Sequence, residues 1–452
     1  MIHAYKHGQQ HIVLDVNSGA VHIFDPLSYD MLAYLEAPLS EEYPALLEEK
    51  FGKSQDALDS YADIYELYQR GELFSEDDYI DLQKAMPKAE DVPIKALCLN
   101  IAHDCNLRCG YCFASTGDFG CGRKLMPFEV GKAAFDFLVA HSGKRRNLEV
   151  DFFGGEPLMN FGTVKMLVAY ARELEKKVDK KFRFTLTTNA MLLNDEVTEF
   201  LNKEMHNVVL SLDGRKEVND FMRQRVDGTG CFDTIMPKIR RFVEQRGDKD
   251  YYVRGTFTKN NLDFASDVRF MVDQGFEQIS IEPVVCGAGW EYSIGEEDLP
   301  RIKDEYDRLA DQIIADRRAG KFYNFFHFMI DLQQGPCVYK RIKGCGAGGE
   351  YIAVTPEGDI YPCHQFVGNE AFKLGNVMEQ TLDRSLCEDF VSANVFTKEE
   401  CSQCWAKYYC SGGCCANNYA FGQNIKKTYR LSCELEKKRV ECAIAIQTAL
   451  SE

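Results

Sequence analysis

From residue 95 to about residue 320, short apolar runs alternate with longer helical patterns, and this alternation constrains the fold more than any other feature of the chain. Six strands are predicted, in the segments ALCLNIAH, NLEVDFFGG, FRFTLTTNA, NVVLSLDG, YVRGTFTK and EQISIEPVV. Alternating strands and helices form a parallel sheet. Because the segment lacks the glycine fingerprint of a dinucleotide-binding sheet, we predict an α/β fold with a partial, TIM-like (β/α)6 barrel over residues 91–320. In such barrels the chemistry lies on the loops that follow the strands.

A smaller unit is predicted on each side of the barrel. Residues 1–90 begin with two alternating runs around Asn17-Ser18-Gly19, a β-hairpin signal, and continue with helical stretches, which together predict a winged-helix-like domain. Its last part, from residue 75, is charged and is interpreted as a linker. Residues 321–452 are rich in cysteine and poor in apolar sequence, apart from a hairpin turning at 356–358 and a C-terminal helix. We therefore expect metal ligation, rather than a hydrophobic core, to hold this unit together.

Charge and composition exclude several classes of function. The formal net charge of −17 argues against sequence-independent nucleic-acid binding, which needs a basic surface. There is no run of eighteen apolar residues and no secretory signal pattern, so we expect neither a membrane span nor export. Eighteen cysteines in such a chain indicate thiolate ligands rather than disulfides, and a reducing cytoplasm as the location.

The stretch HDCNLRCGYCFA, residues 103–114, follows the first predicted strand and contains three cysteines, Cys105, Cys109 and Cys112. A closed metal site needs four ligands, so three thiolates leave a soft metal centre with an open position. Thiolates favour zinc, copper(I) or iron–sulfur clusters. A structural zinc site that recruits a fourth ligand, for example His103, is the alternative at this point.

The C-x3-C-x2-C loop, with Tyr111 before its last cysteine, resembles the signature of the radical S-adenosylmethionine (SAM) enzymes. The resemblance implies that Cys105, Cys109 and Cys112 hold a 4Fe–4S cluster whose fourth iron is chelated by SAM, and that an electron from this cluster cleaves SAM to a 5′-deoxyadenosyl radical. A glycine-rich turn after the second strand resembles the family motif that receives the SAM amino group. The implied cofactor-binding residues are Tyr111, Gly154, Gly155, Glu156, Ser211, Asp213 and Arg223, with weaker indications for Asn189 and Arg254.

The C-terminal cysteines resemble the SPASM extension of radical SAM enzymes, which carries two auxiliary 4Fe–4S clusters. The resemblance assigns Cys345, Cys363 and Cys414 to the first auxiliary cluster, and Cys401, Cys404, Cys410 and Cys433 to the second. Three 4Fe–4S clusters and SAM are thus the implied cofactors. Cys337 is either a fourth ligand of the first auxiliary cluster or not a ligand at all. In the second case, one iron of this cluster is open for a substrate thiolate. Cys415 is an alternative to the adjacent Cys414 as the ligand. For the CxxC pair of Cys401 and Cys404, the alternative is a rubredoxin-like or zinc-ribbon site. The remaining cysteines are interpreted as small buried apolar side chains; they are Cys98, Cys121, Cys231, Cys286, Cys387 and Cys442.

The expected substrate is a ribosomally made precursor peptide. The chain resembles the SPASM maturases of six-cysteine SCIFF peptides, which join a cysteine sulfur to a carbon of an acceptor residue, usually threonine, as a thioether. Residues 1–90 resemble the PqqD-like element that binds a leader peptide as an added strand. A ferredoxin or flavodoxin is the implied electron donor.

Two alternatives to thioether formation stay open. One is a sulfatase-maturing or other peptide-oxidising SPASM enzyme, although the aspartate that sulfatase maturases carry after the cysteine matching Cys363 is replaced here by His364, which could titrate near neutrality. The other is a non-enzymatic iron–sulfur electron carrier, which would not cleave SAM.

Overall fold

The fold is that of a computed structural model, which describes residues 1–285, 290–332 and 338–451. Cys286 and Cys337 lie outside the described residues. Among those described, no helix is both long enough and apolar enough to cross a membrane.

The N-terminal region is an antiparallel sheet followed by helices. Its strands are β1 (Ile2–His7), β2 (Gln10–Asp15) and β3 (Val21–Phe24), paired in that order. The helices are α1 (Pro26–Met31), α2 (Ala45–Phe51) and α3 (Gln55–Gln69). The predicted hairpin is β2–β3, whereas the first strand was not predicted. The segment from residue 75 contains only 3-10 turns, at 80–85 and 89–91, before the next strand.

The six strands predicted for the central region are present and parallel. They are β4 (Ala96–His103), β6 (Asn147–Gly154), β7 (Lys181–Thr188), β8 (Asn207–Ser211), β9 (Tyr251–Phe257) and β10 (Gln278–Pro283). A further short strand, β5 (Lys124–Leu125), pairs antiparallel with β4. They lie side by side in sequence order. The strand order therefore does not reverse as it does in a doubly wound sheet, and the predicted barrel-type α/β core is confirmed.

Helices cover the outer face of this sheet. They are α4 (Phe128–His141), α5 (Phe161–Glu175), α6 (Asp195–Glu204), α7 (Lys216–Met222), α8 (Phe232–Arg246), α9 (Phe264–Asp273) and α10 (Leu299–Arg318). The spacing of buried residues in α5, at 163, 164, 167, 168 and 171, produces one apolar stripe that packs on the sheet. All eight residues of β4 are buried, because this central strand is covered on both faces.

The C-terminal region extends the same sheet. The strand β11 (Asn324–Phe325) pairs with β10 at one edge, and β12 (Tyr351–Val354) pairs in parallel with β4 at the other. The sheet continues through β13 (Asp359–Tyr361), β14 (Gly375–Asn376) and β15 (Thr381–Leu382), so β12 and β13 form the hairpin predicted around residues 356–358. Because β4 is bonded to β12 and not to β10, the barrel is open between them, as predicted for a partial barrel.

The remaining helices carry most of the C-terminal cysteines. They are α11 (Val338–Lys343), α12 (Arg384–Val391), α13 (Glu399–Ser402), α14 (Lys407–Cys410), α15 (Cys415–Gly422) and α16 (Arg430–Ser451). The expectation that this region lacks an apolar core is wrong. Phe366, Phe372 and Phe390 form a buried aromatic cluster, joined by Cys98 of the barrel. The chain draws this core from two distant segments, which the local composition of one segment does not reveal.

Candidate active site

The three-cysteine loop leaves the C-terminal end of β4 and is fastened on both sides. On one side, the backbone amide of Glu156 donates to the carbonyl oxygen of Asp104, at 2.8 Å. On the other, the amide of Arg108 donates to the carbonyl of Gln224, at 2.7 Å, and that of Gly110 donates to the carbonyl of Met222, at 2.8 Å. The conformation of the loop is therefore fixed by backbone hydrogen bonds to its neighbours.

The thiols of Cys105, Cys109 and Cys112 all face one cavity. Burial raises the pKa of Cys105 to about 11 and that of Cys109 to about 12, and each of these two thiols is also influenced by the other cysteines of the loop. As free thiols these two groups are therefore protonated at neutral pH, and binding a metal centre is what would deprotonate them. The Cys105 sulfur accepts hydrogen bonds from the Leu107 amide, at 3.4 Å, and from Nδ2 of Asn189, at 3.6 Å. Both donors suit a thiolate ligand.

The glycine turn after β6 lies against this loop. A Cβ atom on Gly154 would be 2.4 Å from the carbonyl oxygen of Ala102, and one on Gly155 would be 2.2 Å from that of Asp104. Gly154 also has a φ of +128°. Glycine is therefore required here for the close approach of two backbone segments, before any ligand is considered. The backbone of both glycines lines the cavity.

Glu156 was predicted to bind the cofactor, but its carboxylate points away from the cavity. It accepts hydrogen bonds from the Leu158 amide at 3.0 Å, the Thr188 hydroxyl at 2.8 Å and the Asn189 amide at 2.8 Å. Its side chain is fully buried. The side chain of Glu156 thus ties the ends of β6 and β7 together, and only its backbone is near the loop.

Tyr111, Asp213 and Arg223 form a buried network behind the loop. The Tyr111 hydroxyl donates to the Asp213 carboxylate, at 2.7 Å, and accepts from Nη1 of Arg223, at 2.9 Å. Asp213 also accepts from the Thr256 amide, at 3.0 Å, and lies behind the tyrosine rather than at the cavity surface. Tyr111, Arg223 and Ser211 line the cavity. Nε of Arg223 is buried and has no hydrogen-bond partner among the described residues, which fits an anionic ligand group.

The C-terminal cysteines that the structure describes lie in two neighbouring groups. Burial is the main cause of the raised pKa of Cys410. Of the neighbouring groups that raise this pKa further, Glu436 contributes most and is followed by the thiols of Cys433, Cys401 and Cys404. For Cys363, burial is again first, and the neighbouring thiols are Cys414 and Cys345. The resemblance to the SPASM extension implies the same two groups of cysteines.

The structure distinguishes the adjacent pair Cys414 and Cys415. Cys414 caps the N-terminus of α15 and lines the cavity, together with Cys345, Cys410 and Cys433. Cys415 begins the helix and is not part of the cavity lining. The accessible surface of the Cys345 and Cys414 side chains therefore faces the cavity.

A cavity of about 720 Å³ lies between the barrel and the C-terminal region, and many of the predicted residues line it. Predicted residues outside its lining are Glu156, Asp213, Cys363, Cys401 and Cys404. The three-cysteine loop and the glycine turn form one wall, and cysteines of both C-terminal groups form the opposite wall. Asn189 and Arg254, which had weaker indications, also line it. Within the described residues, no group of three or more His, Cys, Asp or Glu side chains converges as a single metal ion would require.

A charged wall that the sequence did not reveal completes the cavity; it consists of Arg254, Glu282, His327, Glu436 and Arg439. Oε1 of Glu282 lies 3.6 Å from Nε of Arg254 and 3.3 Å from Nε2 of His327. Burial opposes the ionisation of Glu282, but His327 and both guanidinium groups outweigh it and hold the pKa of this carboxyl well below its usual range. Glu282 is therefore ionised inside the cavity.

Arg439 supplies the buried positive charge of the charged wall. Its Nε donates to the Tyr306 hydroxyl, at 2.9 Å, and its Nη1 donates to Glu436, at 3.3 Å. Its Nη2 is buried and has no hydrogen-bond partner among the described residues. The local signals for the wall are the positions of Arg254 and Glu282 near the ends of strands. Arg439 lies among other charged residues of α16 and carries no signal in the sequence.

Two histidines considered from the sequence have altered roles. His103 is fully buried, its ring packs against Phe119 at 4.8 Å, and burial lowers its pKa to about 4. It does not line the cavity, which removes it as a fourth zinc ligand. His364 lines the cavity beside Tyr351, and burial lowers its pKa to about 4 as well, which favours a structural histidine over one that titrates near neutrality.

Comparison with known sequences matches two families. The radical SAM superfamily matches residues 99–257, and the SPASM family, described as an iron–sulfur cluster-binding domain, matches residues 345–405. An uncharacterized protein of Archaeoglobus fulgidus is 30% identical over 363 residues, which are 77% of this chain and 80% of that protein. A cysteine-type anaerobic sulfatase-maturating enzyme of Clostridium novyi is 24% identical over 71% of this chain and 88% of its own length.

Two solved structures share the fold. Native anSMEcpe with bound AdoMet and the Kp18Cys peptide has a TM-score of 0.66 and 20% sequence identity, over 80% of this chain and all of that one. Streptococcus suis SuiB bound to S-adenosylmethionine has a TM-score of 0.56 and 19% identity, over 93% of this chain and 96% of that one. The second similarity therefore extends over nearly the whole chain.

Proposed function

We propose, from the premise that this chain belongs to the radical SAM superfamily and carries a SPASM iron–sulfur domain, that it is a peptide maturase that forms thioether bonds. Its substrate would be a ribosomally made, cysteine-rich precursor peptide, and its product a bond from a cysteine sulfur to a carbon of an acceptor residue, threonine in the first instance. The observation that carries this proposal is that one cavity is lined both by the three-cysteine loop and by Cys345 and Cys414 of the first C-terminal group.

The residues around this cavity fit the cofactors that the family implies. Cys105, Cys109 and Cys112 would hold the cluster that binds SAM, and seven cysteines of the two C-terminal groups would hold the auxiliary clusters. SAM and its cluster supply a carbon-centred radical able to remove hydrogen from an unactivated carbon, a step for which no side chain is strong enough. A ferredoxin or flavodoxin would supply the electron.

The chain itself positions the reactants. The hydrogen bonds from Leu107 and Asn189 hold Cys105 in place. Arg223 is held by Tyr111, which is fixed in turn by Asp213, and its buried Nε has no hydrogen-bond partner among the described residues. A preorganised cation of this kind suits the carboxylate of SAM. We assign Tyr111 and Asp213 to positioning Arg223 rather than to contacting SAM.

The charged wall is assigned to orienting the peptide. Arg254 reaches it from β9, Glu282 from β10 and Arg439 from α16, so its charges are fixed by three separate elements. The buried and unpaired Nη2 of Arg439 is a donor suited to a peptide carbonyl or carboxylate. The carboxylate of Glu282 can accept a backbone N–H. These contacts would place the acceptor carbon between the two cysteine-bearing walls.

The leader peptide is assigned to the free edge of β3. The strand at the opposite edge, β1, has one face against α16: the Tyr5 hydroxyl donates to the Glu441 carbonyl at 2.8 Å, and His3 lies 3.0 Å from the Glu441 carboxylate. Among the described residues β3 has no strand partner except β2. An unpaired strand edge binds an extended peptide through main-chain hydrogen bonds. Added precursor should therefore protect amides of Val21–Phe24, and not those of Ile2–His7, from hydrogen exchange.

The experiment that tests the function is anaerobic turnover of the iron- and sulfide-reconstituted protein with SAM, reductant and a leader-bearing cysteine-rich peptide. The expected product has lost two hydrogens and has one thiol blocked from alkylation, and it forms together with 5′-deoxyadenosine. Deoxyadenosine without any change in the peptide would contradict the substrate assignment. The absence of deoxyadenosine from a protein with intact clusters would favour the electron-carrier alternative.

Cys414 and Cys415 provide a matched pair of variants for this assay. Cys414→Ala should abolish the thioether product while deoxyadenosine still forms, because the radical site is on the opposite wall. Cys415→Ala, next to it in sequence but outside the cavity lining, should retain the product. Equal loss in both variants would contradict the assignment of Cys414.

A second candidate function is oxidation of a sulfatase-type active-site residue. The similarity to the Clostridium novyi enzyme favours it. Against it, the position after Cys363 is His364 rather than an aspartate, and this histidine is buried with a pKa of about 4. Formation of an aldehyde on a sulfatase-derived peptide, without a thioether on the cysteine-rich peptide, would replace the first proposal with this one.

A further inference from the structure

Two buried lysines in the C-terminal region lack a negatively charged partner. Lys398 exposes 1% of its surface, and its ammonium group donates a hydrogen bond of 2.6 Å to the carbonyl oxygen of Gly412. Lys343 exposes 7%, and its Nζ has no hydrogen-bond partner among the described residues. Neither lysine forms an ion pair with a described carboxylate. Glu350, the carboxylate near Lys343, is already paired with Lys95 and Arg145.

The position of Lys398 relates it to both groups of C-terminal cysteines. Its backbone carbonyl accepts from the Cys401 amide, at 3.0 Å, so it stands at the start of the short helix that carries Cys401. Its side chain reaches Gly412, in the loop between Cys410 and Cys414. It therefore lies between the group of Cys401 and the group of Cys414. Lys343, by contrast, is two residues before Cys345 and belongs to the first group alone.

Burying an ammonium group without a counter-charge costs several kcal/mol, and neutral thiols do not compensate for it. Thiolates that ligate an iron–sulfur cluster would supply the negative charge that both lysines lack.

We propose that Lys398 sets the reduction potentials of both auxiliary clusters, and that Lys343 acts on the first auxiliary cluster alone. This inference rests on the proposed function only in taking the C-terminal cysteines as cluster ligands. A cluster with thiolate ligands is negatively charged, and one-electron reduction increases that charge. A nearby buried cation stabilises the reduced form more than the oxidised form, and so raises the potential. The two lysines would thereby keep the auxiliary clusters able to accept an electron from the substrate.

The test is a reductive titration, followed by electron paramagnetic resonance, of the full chain without any peptide. Cys105, Cys109 and Cys112 are replaced by alanine, so that only the auxiliary signals remain. Lys398→Met should lower the potential of both signals, and Lys343→Met that of one signal only. The expected change is at least about tenfold in the reduction equilibrium, which is ~59 mV for a one-electron couple. Lys427→Met, which removes an exposed lysine of the same region, should change neither.

Unchanged potentials in Lys398→Met with both clusters loaded would overturn the proposal, and so would a wild-type chain that loads no auxiliary cluster. If Lys398→Met fails to retain iron, Lys398→Arg distinguishes a role of the charge from a role of packing. Restored iron content in Lys398→Arg supports a role for the charge. Continued loss of iron shows that packing alone matters and refutes the proposal. Shifted potentials together with a failed thioether assay would leave this inference standing and reject the proposed substrate.

Discussion

The three-cysteine loop and the C-terminal cysteine groups face each other across one cavity, but they are held in place by different means. The loop is fastened by backbone hydrogen bonds to the glycine turn and to residues 222–224, and its nearby cation, Arg223, is paired with Tyr111. In the C-terminal groups, Cys401 and Cys410 lie on helices of four residues and Cys433 lies near the start of α16. Their nearby cations, Lys343 and Lys398, have no anionic partner among the described residues.

This difference separates a site that is formed by the fold from one that depends on its cofactor. Strand ends and their hydrogen bonds fix the loop whether or not a cluster is bound, so one iron can remain open to a ligand that comes and goes. The C-terminal groups contain uncompensated buried charge until their thiols are ionised by metal. The clusters there are expected to be part of the structure as well as of the chemistry.

The largest effect is expected from Cys105→Ala, which removes one of the three thiols of the three-cysteine loop. Deoxyadenosine formation should be abolished, because two thiols do not hold a cluster with one open iron. The auxiliary signals in the electron paramagnetic resonance spectrum should persist, since the opposite wall is untouched. Normal deoxyadenosine formation in this variant would remove the basis for the radical site.

Removal of iron by a chelator should affect the two sides unequally. Hydrogen exchange of the segment from Lys398 to Cys414 should accelerate by an amount that corresponds to roughly 3–5 kcal/mol, the cost of leaving a buried charge uncompensated. The amides of β4 and β6 should keep their protection. The triple alanine variant of the loop, with its auxiliary clusters intact, is the control and should show neither change. Equal loss of protection on both sides would contradict the distinction.

The smallest effect is expected from Glu156→Gln, which tests whether side-chain hydrogen bonds support the loop. An amide nitrogen in place of Oε2 would face the Asn189 amide, which is also a donor. The free energy of unfolding, measured with denaturant, should therefore fall by about 1–3 kcal/mol. Deoxyadenosine should still form at a reduced rate. Glu149→Gln, at an exposed position on the same strand, should change stability by less than about 0.5 kcal/mol. Equal stability of both variants would show that Glu156 does not support the loop.

Much of the fold was predictable because its signals are local. The six parallel strands, the hairpin β2–β3, the hairpin β12–β13 and the C-terminal helix follow from hydrophobic period and turn residues within short windows. The grouping of the C-terminal cysteines is implied by the resemblance to the SPASM extension, because its members lie far apart in the chain and short spacing alone does not assign them. The strand β1 was missed, because the half-buried run of residues 2–7 alternates too weakly to be recognised alone.

The sequence was least informative about side chains whose partners are distant in sequence. Glu156 was expected at the cofactor and instead bonds to Thr188 and Asn189 of β7 and the loop after it. Asp213 was expected there too and lies behind Tyr111. The pKa of His364 depends on burial by Phe113 and Phe153, which only the folded chain brings near.

Strand periodicity and turn residues are properties of contiguous residues, and they predict the βα order and the hairpins. The crowding of Cys105, Cys109 and Cys112 in one short stretch likewise marks the three-cysteine loop. Which groups share the cavity depends on the tertiary structure. It brought Arg254, Glu282, His327 and Arg439 into one charged wall, and it left Lys343 and Lys398 buried without a counter-charge. Burial and electrostatic pairing depend on contacts between residues tens to hundreds of positions apart, and no local pattern records them.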